Sequence, residues 1–171
     1  MEQRGATFSE DSKKRYRLWR TWDTSKPHVL FIMMNPSTAN KDADDPTINI
    51  IKQHAINWGF GGLYVGNLYA HCCSNSSEAR NIINPDERDL VNEQHIREMA
   101  EHCSKIVYAW GTKGPNKKTQ REPTWLRDIV SDVAYCIDMT VKDKLPKHPK
   151  QWSHNTLKIM EAPCVYRTTK N

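Results

Sequence analysis

The chain has 171 residues, of which 37% are hydrophobic and 26% charged, and its formal net charge is +5. That length suits one domain, residues 1–171, with a single core, because no shift in composition divides it. No apolar stretch reaches membrane-spanning length, and residues 1–4 lack the apolar core of a signal peptide. We therefore expect a cytoplasmic protein without a membrane partner.

The first predicted elements are two strands. Residues 15–22 alternate charged and bulky side chains, as a strand at the solvent edge of a sheet does. The apolar run 29–34 predicts a buried strand of a parallel sheet, and it stops at Asn35 and Pro36. Because Pro36 fixes its own φ and keeps Asn35 extended, stiff backbone presents the Asn35 amide. Ligands of open α/β sheets bind at this end of a strand.

The rest of the chain alternates helices with strands. Asp45 and Pro46 begin a helix, and a later helix from Pro85 carries an apolar stripe with Leu90, Val91, Ile96 and Met99. The alternation predicts a three-layer α/β/α sandwich around a central, mainly parallel four-stranded sheet, with an N-terminal edge strand. The remaining predicted elements are a strand at 63–69, a strand at 106–110, a helix around 125–130 and a strand at 133–137.

Basic residues fall into three clusters, at 13–20, 113–121 and 142–150. The third surrounds His148 and is followed by Trp152. Basic side chains next to an aromatic ring suit a surface that tracks phosphates and contacts bases, although a solvated basic surface is the alternative. The five cysteines are odd in number and form no C-x-x-C pair, so we expect reduced thiols, no metal site and no other cofactor.

Four motifs carry a resemblance to known proteins. From about the second predicted strand to His148, the sequence resembles a bacterial and phage domain family of unassigned function and, beyond it, the uracil-DNA glycosylase superfamily. That resemblance implies a glycosylase-like fold, a monomer, and DNA, single-stranded or with a flipped base, as partner. The motifs are Met34-Asn35-Pro36-Ser37, Tyr64-Val65-Gly66-Asn67-Leu68, Val107-Tyr108-Ala109-Trp110-Gly111 and His148-Pro149.

The resemblance also implies roles. Asn35 lies in the water-activating loop, Asn67 reads the edge of the flipped base, and His148 opens the DNA-gripping loop. Trp152, four residues later, is the wedge that fills the vacated base stack. No aromatic residue lies between Phe31 and Trp58, so stacking on the base would come from Tyr69 or Trp110. DNA contacts are expected from Ser37, Lys113, Lys147, Lys150 and Trp152.

The chemistry follows from the bond itself. Cleavage of an N-glycosidic bond needs a water on one side of the sugar and hydrogen-bond donors for the departing base on the other. The Asn35 carbonyl can hold the water, His148 can donate to a base oxygen, and Asn67 can pair with the polar edge of the base. An amide cannot take a proton, so we expect slow turnover, unless Asp45 supplies the basicity.

Each of these residues also has a purely structural interpretation. Asn35 can be a turn residue, His148 a surface histidine, and Trp152 a side chain that packs the C-terminal segment on the sheet. Asn67 needs a partner in a buried strand with or without a ligand. Two further clusters are less suited to metal than to capping or solvation, namely Asp42, Asp44 and Asp45, and His95, Glu98 and His102 on the long helix.

Two other functions stay open from sequence. One is a hydrolase or transferase that acts on free nucleosides or nucleotides with the same site. The other is a nucleic-acid-binding module without catalysis. The sequence does not specify the target base, which can be uracil, a mismatched base or a modified base.

Overall fold

The structure is a computed structural model, and it describes residues 1–73, 88–111, 123–130, 134–137, 139 and 145–152. In these residues, six strands, three α-helices and one 3₁₀ turn are formed. The strands are β1 (Gln3–Phe8), β2 (Arg15–Thr21), β3 (His28–Met33), β4 (Gly62–Asn67), β5 (Lys105–Tyr108) and β6 (Ala134–Tyr135). The helices are α1 (Pro46–Asn57), α2 (Leu90–Glu101) and α3 (Thr124–Ile129), and the 3₁₀ turn is Pro149–Gln151.

The six strands form one mixed sheet in the order β1-β2-β4-β3-β5-β6. Strands β4, β3, β5 and β6 are parallel, whereas β1 and β2 pair antiparallel with their neighbours. The prediction of a mainly parallel four-stranded sheet with one edge strand is therefore wrong. β2 lies inside the sheet, and β1 takes the edge.

The missed strand β1 depends on a contact that its own sequence does not show. It has few apolar residues, and Gly5 interrupts it. Gly5 is paired with Trp19 of β2, and a Cβ added to Gly5 would lie 1.9 Å from the Trp19 ring. Only glycine leaves room for that indole, so a residue that weakens the local strand pattern is needed for the pairing.

The core lies on both faces of the sheet, as the predicted alternation of helices and strands requires. Successive residues of β3 point to opposite sides. One side packs with α1 through Val29, Phe31 and Met33, and the other packs with α2 and α3 through Leu30, Ile32 and Met34. No helix within the described ranges is long and apolar enough to cross a membrane.

The predicted helix at Asp45 is confirmed. The Asp45 carboxylate accepts hydrogen bonds from the backbone N–H groups of Thr47 and Ile48, and Pro46 occupies the first turn. This is the N-cap arrangement that the sequence indicates.

The second helix differs from its prediction. Its N-cap is Asp89, so it begins at Leu90, and Pro85 lies outside the described residues. Leu90 and Val91 are 67% and 52% exposed, and only Ile96 and Met99 of the predicted stripe are buried. The N-cap sets where the helix begins, and in the first turn Asn92 rather than Leu90 or Val91 meets the sheet, where its Nδ2 donates to the Asn67 carbonyl at 2.9 Å.

The strands that follow β3 in the chain are added on both of its sides. After β3 the chain runs to α1 on one face and adds β4, whereas after β5 it runs to α3 on the other face and adds β6. The carboxyl ends of β3 and β5 are neighbours at this switch point. Open α/β sheets bind ligands in the crevice outside such a point.

A buried ion pair holds the loop between β3 and α1. Arg20 of β2 is 0% exposed, and its guanidinium lies 2.7 Å from the Asp44 carboxylate. It also donates to the Asn40 carbonyl at 2.6 Å. Arg4 contacts the second carboxylate oxygen of Asp44 at 2.6 Å. The loop is thereby fixed against the sheet just before Asp45.

We predict that Asp44→Ala destabilises the protein by about 3–5 kcal/mol, because it leaves the Arg20 guanidinium buried without its counter-charge. Urea unfolding monitored by circular dichroism measures the change. The matched control is Asp42→Ala, whose carboxylate is 77% exposed and 3.7 Å from Lys41. The control should stay within about 0.5 kcal/mol of the parent protein. Equal unfolding midpoints for the two variants would contradict the role of the ion pair.

Candidate functional site

The carboxyl ends of β3 and β5 bring two of the predicted residues to the same edge of the sheet. Ile32 and Tyr108 are paired in register, and Asn35 and Gly111 each lie three residues beyond that pair. Gly111 has φ +96°, and a Cβ added to it would lie 3.3 Å from the His148 Cβ. The segment that carries His148 therefore packs directly on the end of β5, at the edge where Asn35 follows β3.

The Asn35 amide is anchored by its nitrogen. Nδ2 donates to the Cys73 carbonyl at 2.8 Å and to the Pro36 carbonyl at 3.0 Å. No residue in the described ranges donates a hydrogen bond to Oδ1. The half-buried side chain is thus held by two backbone acceptors and keeps its carbonyl oxygen for another donor, such as a water.

His148 caps the 3₁₀ turn through a ring nitrogen, Nδ1. The backbone N–H of Lys150 donates to Nδ1 at 3.2 Å, and the His148 N–H donates to the Gln151 side chain at 3.1 Å. Burial lowers the pKa of His148, Lys150 lowers it further, and Asp45 opposes them. A neutral ring that accepts at Nδ1 carries its proton on Nε2. His148 is thus a hydrogen-bond donor at Nε2 at neutral pH.

Asp45 links the end of β3 electrostatically to two basic groups. One oxygen caps α1, and none of the residues described donates to its other oxygen. Burial lowers the pKa of His148 and that of Arg15, and the Asp45 carboxylate opposes the fall in both cases. The Asp45 charge therefore acts on both side chains.

Arg15 is a site residue that the sequence analysis did not single out. It is 3% exposed, and it donates to the Ala39 carbonyl at 2.7 Å through Nη1. Burial lowers the pKa of Arg15 to about 10, against the opposing effects of Cys72 and Asp45. The guanidinium therefore stays charged at neutral pH. Arg15 belongs to a basic cluster and to a predicted edge strand, so the sequence predicts an exposed side chain.

Asn67, at the end of β4, is 1% exposed, and its Oδ1 accepts from Arg15 Nη2 at 3.3 Å. Two donors of this pair, Arg15 Nε and Asn67 Nδ2, are buried and have no partner within the part of the chain that the structure describes. An unsatisfied buried donor costs about 1–3 kcal/mol. Such a pair at a ligand-binding edge marks a candidate recognition site.

The aromatic residues predicted to stack on a base belong to the core on the α2 and α3 side. Trp110 is 3% exposed, and its ring lies 4.4 Å from that of Tyr108. A base would have to displace this packing, so a stacking role for Trp110 conflicts with the structure. Tyr69 is half-buried beside the same cluster, with its N–H bonded to the Met34 carbonyl at 3.0 Å.

The predicted DNA wedge at Trp152 is wrong. Trp152 is 8% exposed, and its ring packs against those of Phe31 at 6.4 Å and His54 at 5.1 Å. Its Nε1 donates to the Lys147 carbonyl at 3.0 Å. The 3₁₀ turn after His148 directs the indole inward, so Trp152 fastens this segment to the core, as the alternative interpretation expected.

The other predicted DNA contacts lie partly on the surface. Ser37 and Lys150 are exposed, and Lys147 is half-buried. Lys113 lies outside the described residues. Ser37 follows the Asn35-Pro36 pair, and both lysines flank His148 in the chain.

The two clusters considered for metal have protein partners instead. Asp44 pairs with arginines and Asp45 caps α1, while His95 Nδ1 accepts from Arg17 Nε at 3.1 Å. Across the described ranges, no group of three or more His, Cys, Asp or Glu side chains could hold a metal ion. The cysteines at 72, 73, 103 and 136 are free thiols, and Cys164 lies outside the described residues.

These observations define an α/β protein with a mixed sheet and a candidate site at the carboxyl ends of its parallel strands. The chain belongs to the family described as "Protein of unknown function (DUF1643)", whose model matches residues 15–150. The match begins at Arg15 and includes Asn35, Asn67 and His148. Neither the search of curated proteins nor that of solved structures finds a match. The resemblance to uracil-DNA glycosylases therefore stays a prediction.

We predict opposite shifts of the His148 pKa in two variants. Lys150→Ala removes a positive charge and should raise the pKa, while Asp45→Asn removes a negative charge and should lower it further. NMR titration of the ring protons measures both values. Lys41→Ala, a change at an exposed lysine outside the site, is the control and should leave the pKa unchanged. Shifts of the same sign in both site variants would contradict the arrangement.

Proposed function

We propose that this protein is a DNA glycosylase-like hydrolase that cleaves the N-glycosidic bond of a flipped uracil, mismatched or modified base. The observation that carries the proposal is the place of His148, which packs against Gly111 at the end of β5 with Nδ1 bonded to the Lys150 N–H, at the sheet edge that Asn35 also borders. On this proposal the layered α/β arrangement corresponds to a uracil-DNA glycosylase-like fold, with an added antiparallel pair, β1 and β2.

The reaction requires one bond to break and one to form. The base leaves with the electron pair of the glycosidic bond, and the sugar carbon gains positive charge before water adds to it. His148 Nε2–H donates to an oxygen of the departing base as negative charge develops there. The Asn35 Oδ1 accepts a hydrogen bond from the attacking water and orients it.

The proton released by the water needs an acceptor. An amide does not take it, whereas the second oxygen of Asp45 can. One oxygen of that carboxylate is committed to the α1 N-cap, so Asp45 has little freedom to move toward a substrate. Slow turnover is therefore expected.

DNA approaches through its phosphates on this proposal. Lys147 and Lys150 flank His148 in the chain, and Ser37 lies two residues after Asn35, so all three are close in sequence to the proposed site residues. Lys113 lies outside the described residues and stays a predicted DNA contact. With Trp152 in the core, another group must occupy the space that a flipped base leaves, or the substrate is already single-stranded.

We predict that Asn35→Ala and His148→Asn lower the rate of base release by about 10²–10³-fold, because each removes a group aligned with developing charge or with the water. Asparagine at 148 keeps an oxygen that can cap the 3₁₀ turn but lacks Nε2–H. The measurement is alkaline strand cleavage at abasic sites, with released base identified by mass spectrometry.

The control for these variants is His102→Ala, a change at an exposed histidine just after α2. It should leave the rate unchanged, and DNA affinity should persist in all three proteins. Full activity in Asn35→Ala and His148→Asn would remove both residues from the mechanism. Cleavage of free nucleosides as fast as DNA would favour a nucleoside hydrolase, and DNA binding without base release in the parent protein would favour a non-catalytic module.

We also predict that Lys147→Ala and Lys150→Ala each flatten the slope of log affinity against log salt. Each lost phosphate contact should reduce the slope by about 0.7–0.9, since fewer counterions are released. Fluorescence anisotropy at several salt concentrations measures it. Lys26→Ala, at an exposed lysine in the turn before β3, provides the control. Unchanged slopes in both site variants would move the DNA surface elsewhere.

A further inference from the structure

The hydrogen bond of the buried pair Arg15 and Asn67 can run in one direction only. A guanidinium has only N–H donors, so the atom of Asn67 that faces it must be the carbonyl oxygen. The amide nitrogen of Asn67 is therefore turned away from Arg15. Because Arg15 occupies the acceptor of Asn67, the amide presents N–H donors to any ligand.

The guanidinium adds a second donor beside the first. In the planar guanidinium, Nε and one N–H of Nη2 lie on the same edge. Nη1 donates to the Ala39 carbonyl and Nη2 to Asn67, so Nε is the donor of Arg15 that is left. Arg15 and Asn67 are both more than nine-tenths buried, and among the residues described no acceptor meets Arg15 Nε or Asn67 Nδ2.

We propose that Arg15 is a specificity-determining residue, which together with Asn67 selects a nucleobase edge made of adjacent hydrogen-bond acceptors. Guanine presents such an edge through O6 and N7. Cytosine presents one through O2 and N3. Uracil and thymine place an N3–H donor between their two oxygens, and that donor would meet a donor of the protein. The inference rests on the proposed function for the ligand being a base, and it narrows the target away from uracil.

The charge of the pair agrees with this choice. Arg15 is positive, and its carboxylate neighbour Asp45 lies near enough to influence it but forms no hydrogen bond with it in the structure. The guanidinium therefore keeps donor capacity for an electron-rich edge. One free donor from Arg15 and one from Asn67 match an edge in which a ring nitrogen and a carbonyl oxygen lie side by side.

The test compares equilibrium binding of DNA duplexes that differ at one central nucleotide placed opposite an abasic site. That nucleotide is guanine, 7-deazaguanine, cytosine or uracil, and fluorescence anisotropy at fixed salt gives each Kd. Guanine and cytosine should bind about tenfold or more tighter than uracil, since a mismatched donor leaves buried groups unpaired. Replacing N7 of guanine by carbon should lose about tenfold. Equal binding of all four duplexes would overturn the proposal.

The variant Asn67→Asp sharpens the test. Its carboxylate keeps the contact with Arg15 but presents an oxygen where the amide presents N–H. The preference for guanine over uracil should shrink or reverse. Asn57→Asp, the same chemical change on an exposed part of α1, should keep the parent preference. Retention of that preference by a folded Asn67→Asp protein would also overturn the proposal, and the comparison of guanine with 7-deazaguanine in the parent protein does not depend on any variant folding.

Base release is measured on the same duplexes, so that the two proposals can fail separately. A base preference without release would contradict the hydrolase and leave the recognition pair intact. Release without any preference would contradict the recognition pair and leave the hydrolase intact.

Discussion

Two arginines of β2 hold the loop that carries the candidate site. Arg15 donates to the Ala39 carbonyl, and Arg20 donates to the Asn40 carbonyl and pairs with Asp44. Both guanidinium groups are buried, so their charge and donors must be satisfied by this loop or be left at a large cost in free energy. The middle of the loop between Asn35 and Asp45, at Ala39, Asn40 and Asp44, is therefore held by β2. The antiparallel half of the sheet thus supports a site formed at the ends of the parallel half.

The sequence predicts what local signals determine. An apolar run bounded by Pro36 marks β3, and Asp45 with Pro46 marks the start of α1, because strand burial and N-capping depend on neighbouring residues. The end of β3 also indicates where a site can form, since that inference needs only the strand direction. Asn35 and His148 reach the same edge of the sheet as expected, while their chemical roles stay predictions.

The missed features depend on contacts between distant parts of the chain. Strand alternation places Arg15 and Arg17 on one face, but the register between β1 and β2 shifts at Thr7 and Phe8, and Arg15 turns inward. Trp152 looks exposed because basic residues precede it, yet Phe31 and Trp58 offer it an aromatic pocket. No local pattern indicates the inward turn of Arg15 or the burial of the Trp152 indole, so the sequence alone does not predict them.

The protonation of His148 and the burial of Arg15 divide two tasks within the site. A neutral imidazole donates one directed hydrogen bond and adds no charge of its own, whereas Arg15 supplies a fixed positive charge in a poorly solvated place. In such surroundings a charge acts over a longer distance than it does in water. On the proposed function, negative charge that develops on a bound base would be stabilised by Arg15 in addition to the hydrogen bond from His148. The negative charge of Asp45 partly offsets the positive charge of Arg15. Its hydrogen bonds to the start of α1 keep the Asp45 carboxylate in place. On that proposal the balance between these three side chains, rather than any one of them, would determine how much negative charge the site can stabilise.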